Sequence, residues 1–224
     1  MSRQKIELLR SAWRRGLTAF MKQIALEARD SLWSSRHLVY SIDISQKNRV
    51  KAVEIEKVIF RRIYHWNEVR SEDIEYLKKK KKDIRGWGEF EWLEELDYGL
   101  WIAEINGKLA AFKWWLNRDQ AKASNFFVEI PEGAELGGQG TVLPEFRGKR
   151  LHDRILVSIQ AYRASQGINT FFETVRDYNF TSRRAMARVD FTYLGYAEVM
   201  KRTGVVRWHP LPNPISAASL EGME

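Results

Sequence analysis

The sequence contains no cysteine. Disulfide bonds, thiolate metal sites and a cysteine nucleophile are therefore excluded. The chain has only four histidines, which are scattered, and we expect no metal centre. The lack of cysteine also fits a reducing compartment, so the expected location is the cytoplasm.

Long apolar runs are missing as well. No uninterrupted apolar stretch approaches the roughly 20 residues that a membrane-spanning helix needs. The first 23 residues mix arginine and lysine through their apolar positions, whereas a secretory signal carries a clean apolar stretch. We expect neither a spanning nor a secretory segment.

What the chain does have is a globular composition with excess positive charge. Hydrophobic residues make up 44% and charged residues 29% of 224 residues, which is enough for a substantial core. The formal net charge is +8. This charge favours an anionic partner, and it does not choose between nucleic acid, a membrane surface and the phosphates of a cofactor.

Apolar residues near the start recur at helical spacing, at Ile6, Leu9, Trp13, Leu17, Phe20, Met21 and Ile24. One interpretation is a helix packed on the domain with its cations in water. The other is a helix that docks on a membrane surface or a partner, which would make the protein peripheral to the membrane. The sequence also leaves open that the protein forms a homodimer.

The rest of the chain alternates between strand and helix patterns. Strands are predicted at residues 37–44, 53–63, 168–175, 191–202 and 205–211, with a hairpin at 100–116 around Asn106-Gly107 and extended chain at 126–130 and 135–144. Helices are predicted at 71–83, 151–166 and 179–189, and residues 86–96 form a helix or a loop. This order predicts a mixed α/β fold.

The segment that indicates chemistry is VLPEFRGKRLH, residues 142–152, where a strand ends and a helix begins. The first N–H groups of a helix point outward, with the positive end of the helix dipole behind them. Arg147, Lys149 and Arg150 add positive charge at the same place. Such a turn suits a diphosphate.

This segment resembles motif A of the GNAT superfamily of acyl-CoA-dependent N-acyltransferases, in which Gln or Arg is followed by Gly-x-Gly/Ala after two residues. Downstream, NFTSRRAMARVDF resembles the next motif of that superfamily, an Asn-x-x-Ser helix that ends in Gly-Phe. The resemblance covers about residues 53–207. It implies a mostly antiparallel sheet with a splayed parallel centre and helices on both faces.

The resemblance also implies a cofactor, acetyl-CoA or another acyl-CoA. Its site would comprise Val142, Leu143, Arg147, Gly148, Lys149, Arg150, Leu151, His152, Asn179 and Ser182. The turn would hold the diphosphate, Val142 and Leu143 would pair with the pantetheine arm, and Asn179 and Ser182 would lie near the thioester.

Several residues depart from the superfamily pattern. Arg150 and Asp190 stand where the motifs have Gly, and His152 where motif A has Gly or Ala. Met186 stands where many relatives have a tyrosine that protonates the leaving thiolate. The acid would then be Tyr178, Tyr193, His152 or water, unless the thiolate leaves unaided.

A general base is also needed to neutralise the amine. Glu135 is the first candidate because it precedes the cofactor end of its strand, and Glu173 on the next strand is the second. The domains implied are an extension at residues 1–50, the acyltransferase domain at 51–209 and a flexible tail at 210–224.

The resemblance implies an amine acceptor, which we expect to be a small-molecule primary amine. An amino sugar or nucleotide sugar would suit stacking surfaces at Trp66, Trp87, Trp92, Trp114 and Trp115, and a protein amine or a small polyamine also stays open. Two alternatives stay open. One is a GNAT-like module that binds CoA or another anion without catalysis. The other is a nucleic-acid-binding protein, for which Lys78 to Lys82 are an argument but recognisable single-strand-binding spacing is missing, so we expect no nucleic acid.

Overall fold

The computed structural model describes residues 12–13, 16–45, 58–80, 93, 99–123 and 128–222. The chain divides into two compact units. The central unit is Ser41–Glu173, and the terminal unit combines Met1–Tyr40 with Thr174–Glu224. Boundaries at residues 50 and 209, predicted from sequence, therefore do not match the units, because both ends of the chain contribute to the terminal unit.

The described residues form eight strands. They are β1 Ser34–Asp43, β2 Val58–Ile63, β3 Gly99–Ile105, β4 Lys108–Leu116, β5 Ala134–Val142, β6 Thr170–Arg176, β7 Thr192–Met200 and β8 Val206–Ser216. The helices are α1 Leu17–Leu32, α2 Ser71–Lys80, α3 Arg118–Ala123, α4 Leu151–Ser165, α5 Phe180–Arg188 and α6 Ala217–Gly222. The predicted mixed α/β class is confirmed.

The strands form one mixed sheet in the order β2-β3-β4-β5-β6-β1-β7-β8. β2 to β5 pair antiparallel, β5 pairs parallel with β6, and β7 pairs antiparallel with β8. β1, which the sequence assigned to an extension, is instead an interior strand of this sheet.

The predicted hairpin is confirmed at β3 and β4. Asn106 and Gly107 both have positive φ, 52° and 70°, and Ile105 pairs with Lys108 across the turn. Two left-handed residues in a two-residue loop match the twist of the strands on either side. The hairpin and β2 supply much of the central core, whose buried members include Ile63, Trp66, Leu77, Leu100, Ile102, Phe112 and Trp114.

Residues 210–222 form regular secondary structure, in contrast to the predicted flexible tail. Residues 210–216 extend β8, and α6 follows. The N–H of Ala217 donates to the Phe191 carbonyl over 2.8 Å, and Glu221 accepts from Arg183 over 2.7 Å. These two bonds hold a segment whose proline content suggested fraying.

The described part of the predicted N-terminal helix includes α1. Gly16, with φ of 109°, precedes α1, which ends at Leu32. Residues 1–11 and 14–15, which belong to the same prediction, lie outside the described residues. Of the apolar residues in the pattern, Leu17, Met21 and Ile24 are exposed, while the neighbouring Gln23 is fully buried.

Candidate functional site

β5 has two halves with different surroundings. Ala134, Glu135 and Leu136 pair with β6, and all three are buried. From Gly137 to Val142 the described partner of β5 is β4 alone, and residues 138–142 are partly or fully exposed. One edge of this second half is thus open in the described part of the chain, so an extended ligand can pair with its backbone.

A buried ion pair lies where β5 leaves β6. Lys113 Nζ is 2.8 Å from Glu173 Oε1, and Lys113 also donates to the Gly138 carbonyl over 3.0 Å. Both side chains are almost fully buried. Burial raises the pKa of Glu173, and the nearby Lys113 ammonium opposes that rise. The ion pair therefore links β4 to β6, and the bond to the Gly138 carbonyl links β4 to the start of the open half.

Position 137 must be glycine because the Glu173 side chain lies too close to leave room for a Cβ atom. A Cβ built on Gly137 would meet Glu173 Oε1 at 1.8 Å, well inside any real contact. The register between β4 and β5 also shifts between Lys113 and Trp115, which is a β-bulge. Lys113 was missed at the sequence level, although a lysine inside the apolar run LAAFKWWL is a signal of a buried charge.

The turn after β5 is held by its own backbone. The Leu143 N–H donates to the Ala110 carbonyl over 2.9 Å, and a short 3-10 turn follows at Pro144–Phe146. Gly148 has φ of 86°, and Arg150 is left-handed at φ 55° before α4 begins. The sequence pattern expects Gly at 150, and a left-handed arginine costs about 1–2 kcal/mol there.

Within the described residues, the amides of Gly148, Arg150 and Leu151 have no backbone acceptor, while a turn at Arg147 and Gly148 closes on Lys149. The first intrahelical bond runs from the Arg154 N–H to the Arg150 carbonyl. Helix N-termini leave such donors open, and the 15-residue α4 places its positive dipole end here. The turn can therefore donate several hydrogen bonds to an anion.

Positive charge surrounds these amides. Arg147, Lys149 and Arg150 are exposed, and Lys149 Nζ lies 5.7 Å from the centre of the Phe146 ring. Arg150 Nε donates to Asp153 over 3.0 Å, which fixes that side chain along α4. Of the predicted cofactor residues, those from Val142 to His152 thus form one contiguous stretch of the central unit.

Glu135 lies near the start of β5, whereas the turn follows the end of that strand. Both of its oxygens accept from Arg163 of α4, with Nε at 2.8 Å from Oε2 and Nη2 in close contact with Oε1. Glu135 is 2% exposed. A buried carboxylate that a guanidinium holds bidentately is a strong structural contact.

The remaining predicted site residues belong to the terminal unit. Asn179 caps α5, because its side chain accepts from the Ser182 N–H over 3.3 Å. Tyr178 and Met186 are both buried. A helix cap accounts for Asn179 by local structure, and it uses the backbone N–H of Ser182 rather than the serine hydroxyl.

Three of the five tryptophans proposed for sugar stacking are buried inside the central unit. Trp114 and Trp66 meet edge to face at 6.1 Å in the core, and Trp115 is 3% exposed. Buried indoles cannot stack on a substrate, so these three positions are corrected to core packing. Trp87 and Trp92 lie outside the described residues.

Comparison with known proteins identifies the type of fold. The sequence matches no protein-family model and no curated protein. Among solved structures, similar ones include a GCN5-related N-acetyltransferase from Sphaerobacter thermophilus, at 14% identity and TM-score 0.51, with 85% of this chain covered and 58% of that one.

Two further structures are similar at the same level. One is a GNAT-family protein from Novosphingobium aromaticivorans, at 14% identity and TM-score 0.52 over 75% of this chain and 63% of that one. The other is a Drosophila protein at 15% identity and TM-score 0.53, over 74% of this chain and 50% of that one. This chain thus spans 50–63% of the length of these structures. The likeness establishes a GNAT-like fold.

Proposed function

We propose that this protein is an acyl-CoA-dependent N-acyltransferase, which moves an acyl group from CoA to a primary amine. The observation that carries the proposal is the turn at residues 147–151, where three amides without a described backbone acceptor meet three exposed cations at the start of α4. A diphosphate can accept hydrogen bonds from the amides and from the charged side chains at the same time.

The open half of β5 supports the same ligand. The pantetheine arm of CoA carries two amides, and an extended amide chain can bond to a free strand edge as another strand would. This edge runs from Gly138 to Val142 and leads directly into the turn. Diphosphate and arm would therefore be held by consecutive parts of one segment.

The chemistry proposed is direct transfer. The neutral amine attacks the thioester carbonyl, an N–C bond forms, the C–S bond breaks, the amine loses a proton and CoA leaves as the thiol. Acetyl is the acyl group that we propose first. The base proposed from sequence is Glu135 and the second is Glu173, with Tyr178 as a candidate acid.

The structure supports a second candidate function, a CoA-binding protein without transfer. Glu135 is held by Arg163, Glu173 by Lys113, and Met186 has no proton to donate. If neither carboxylate accepts a proton, the amine must lose its proton to water. Release of free thiol from acetyl-CoA, measured with and without a set of amines and amino sugars, separates the two functions, since only transfer raises the release above the amine-free rate of thioester hydrolysis.

Binding is tested by thermal melting with CoA, acetyl-CoA and longer acyl-CoAs. We expect stabilisation that grows with concentration, about 2.7 kcal/mol at a hundred times Kd. Gly148→Asp should abolish it, because a carboxylate then occupies the anion site. Gly107→Asp is the matched control, since Gly107 also has positive φ and open space around its Cβ position. No stabilisation of the unmodified protein by any of these cofactors would refute the proposal.

A further inference from the structure

An exposed apolar patch with cations lies at the end of α1, in the terminal unit. Leu32 and Trp33 are 66% and 64% exposed, and Val205 and Val206 in the β7–β8 turn are 49% and 41% exposed. The Lys201 N–H donates to the Trp33 carbonyl over 2.9 Å, which places this turn directly beside Trp33. We call Leu32, Trp33, Lys201, Arg202, Val205 and Val206 the docking patch.

The docking patch continues along α1 as an apolar stripe. Leu17, Met21, Ile24 and Leu32 recur at helical spacing and are 66%, 57%, 40% and 66% exposed. The opposite side of α1 is the one that packs, through buried Gln23 and through Arg29, which donates to Asp177. A globular helix normally buries its apolar stripe, so the reversed orientation indicates an apolar environment outside the described chain.

The charged residues around the docking patch indicate which apolar environment it contacts. Lys201, Arg202 and Arg207 are exposed, and none of them forms a salt bridge within the described ranges. Glu198, the nearest acid along β7, is engaged by Ser34 and Arg36. Lys22 of α1 is exposed as well. An apolar surface with tryptophan and surrounding cations matches the headgroup boundary of an anionic membrane.

From these contacts we infer that the terminal unit docks on an anionic membrane surface through the docking patch and the stripe of α1. Trp33 and the valines enter the boundary between headgroups and acyl chains, and Lys201 and Arg202 contact lipid phosphates. This surface is separate from the turn at residues 147–151 and does not depend on its function.

The test is co-sedimentation of the full chain with vesicles of phosphatidylcholine alone and of phosphatidylcholine with a quarter phosphatidylglycerol. We expect binding to the anionic vesicles only, weakening as added salt shortens the screening length. Lys201→Glu with Arg202→Glu should weaken it on the order of tenfold. Lys108→Glu with Lys122→Glu makes the same charge change at exposed positions of the central unit and should have little effect.

The apolar contribution needs its own variant. Leu32→Ser with Val205→Ser should also weaken vesicle binding about tenfold or more, since both side chains would leave an apolar environment. Ile59→Ser is the control, because Ile59 is 58% exposed on β2 of the central unit. Thermal melting of each variant shows whether it is folded.

Two results would overturn the inference. One is equal binding, or none, to neutral and anionic vesicles at low salt. The other is a stable dimer by light scattering that Leu17→Ser with Met21→Ser converts to monomer, with no vesicle binding. That result would assign the stripe to a second copy of the chain.

Discussion

The two halves of β5 are built from the same strand but do different things. Its first half is paired with β6, buried, and fixed to α4 through Glu135 and Arg163. Its second half is paired only with β4 in the described chain, contains Gly138 and Gly140, and ends at a turn with unused amides. One half thus stabilises the sheet, and the other offers backbone to a ligand. The Lys113–Glu173 pair stands at their junction.

The largest expected effect is at that junction. Lys113→Met removes the cation from a buried pair and leaves a carboxylate without its partner, which should cost on the order of 3–5 kcal/mol of unfolding free energy. Urea denaturation measures it. Adding Glu173→Gln should recover much of the loss, because the buried charge is then gone. If the single variant is as stable as the unmodified protein, the pair does not secure the junction.

The same variant has a predicted pH dependence. Burial raises the pKa of Glu173 above its ordinary value of 4.5, and Lys113 opposes this. A carboxyl group whose pKa is higher in the folded than in the unfolded protein stabilises the folded state while it is protonated. This stabilisation is fully present below the unfolded-state pKa and is lost as pH rises through the folded-state pKa. Without Lys113 the pKa rises further, so the deficit of Lys113→Met should be larger at pH 8 than at pH 5. A deficit independent of pH would contradict this account.

A smaller loss is expected in the first half of β5. Glu135→Gln keeps the shape but removes the charge that Arg163 binds, which should cost about 1.5–3 kcal/mol. CoA affinity should not change, because the turn is untouched. Titration calorimetry and urea denaturation measure the two quantities separately. If turnover falls far more than stability explains, Glu135 acts as the base, and its assignment to the structural half is wrong.

The smallest effect is expected at the turn. Arg150→Gly relieves a left-handed arginine, which gains up to about 1 kcal/mol, while it loses the exposed contact with Asp153. We expect unchanged or slightly higher stability and weaker CoA binding, since one cation is lost. Thermal melting with and without CoA measures both. A strongly destabilised variant would mean that the Arg150–Asp153 contact dominates the turn.

Sequence patterns predicted the local parts of this fold. The Asn106-Gly107 hairpin and the helix that ends before Gly167 depend on turn and periodicity signals within a few residues. The place of β1 inside the sheet could not be predicted, because strand order is set by distant parts of the chain. The exposed stripe of α1 was one of two interpretations, since periodicity does not say which face packs.

The sequence predicted the turn at residues 147–151 but not the ion pair at the junction between the two halves of β5. Residues 147–151 carry a local signal, a glycine and cations at a helix start. Lys113 and Glu173 are distant in sequence, and neither shows that it faces the other. The need for Gly137 arises only because Glu173 occupies the space where a side chain would stand.

The central claim is that the amides of Gly148, Arg150 and Leu151 hold a diphosphate. Hydrogen–deuterium exchange of the peptide covering this turn tests it, with CoA and with pantetheine, which lacks the diphosphate. The account predicts slower exchange of the turn with CoA, no slowing with pantetheine at the same concentration, and an unaffected hairpin turn at Asn106-Gly107. Equal protection by both ligands, or none by CoA at saturating concentration, would contradict it.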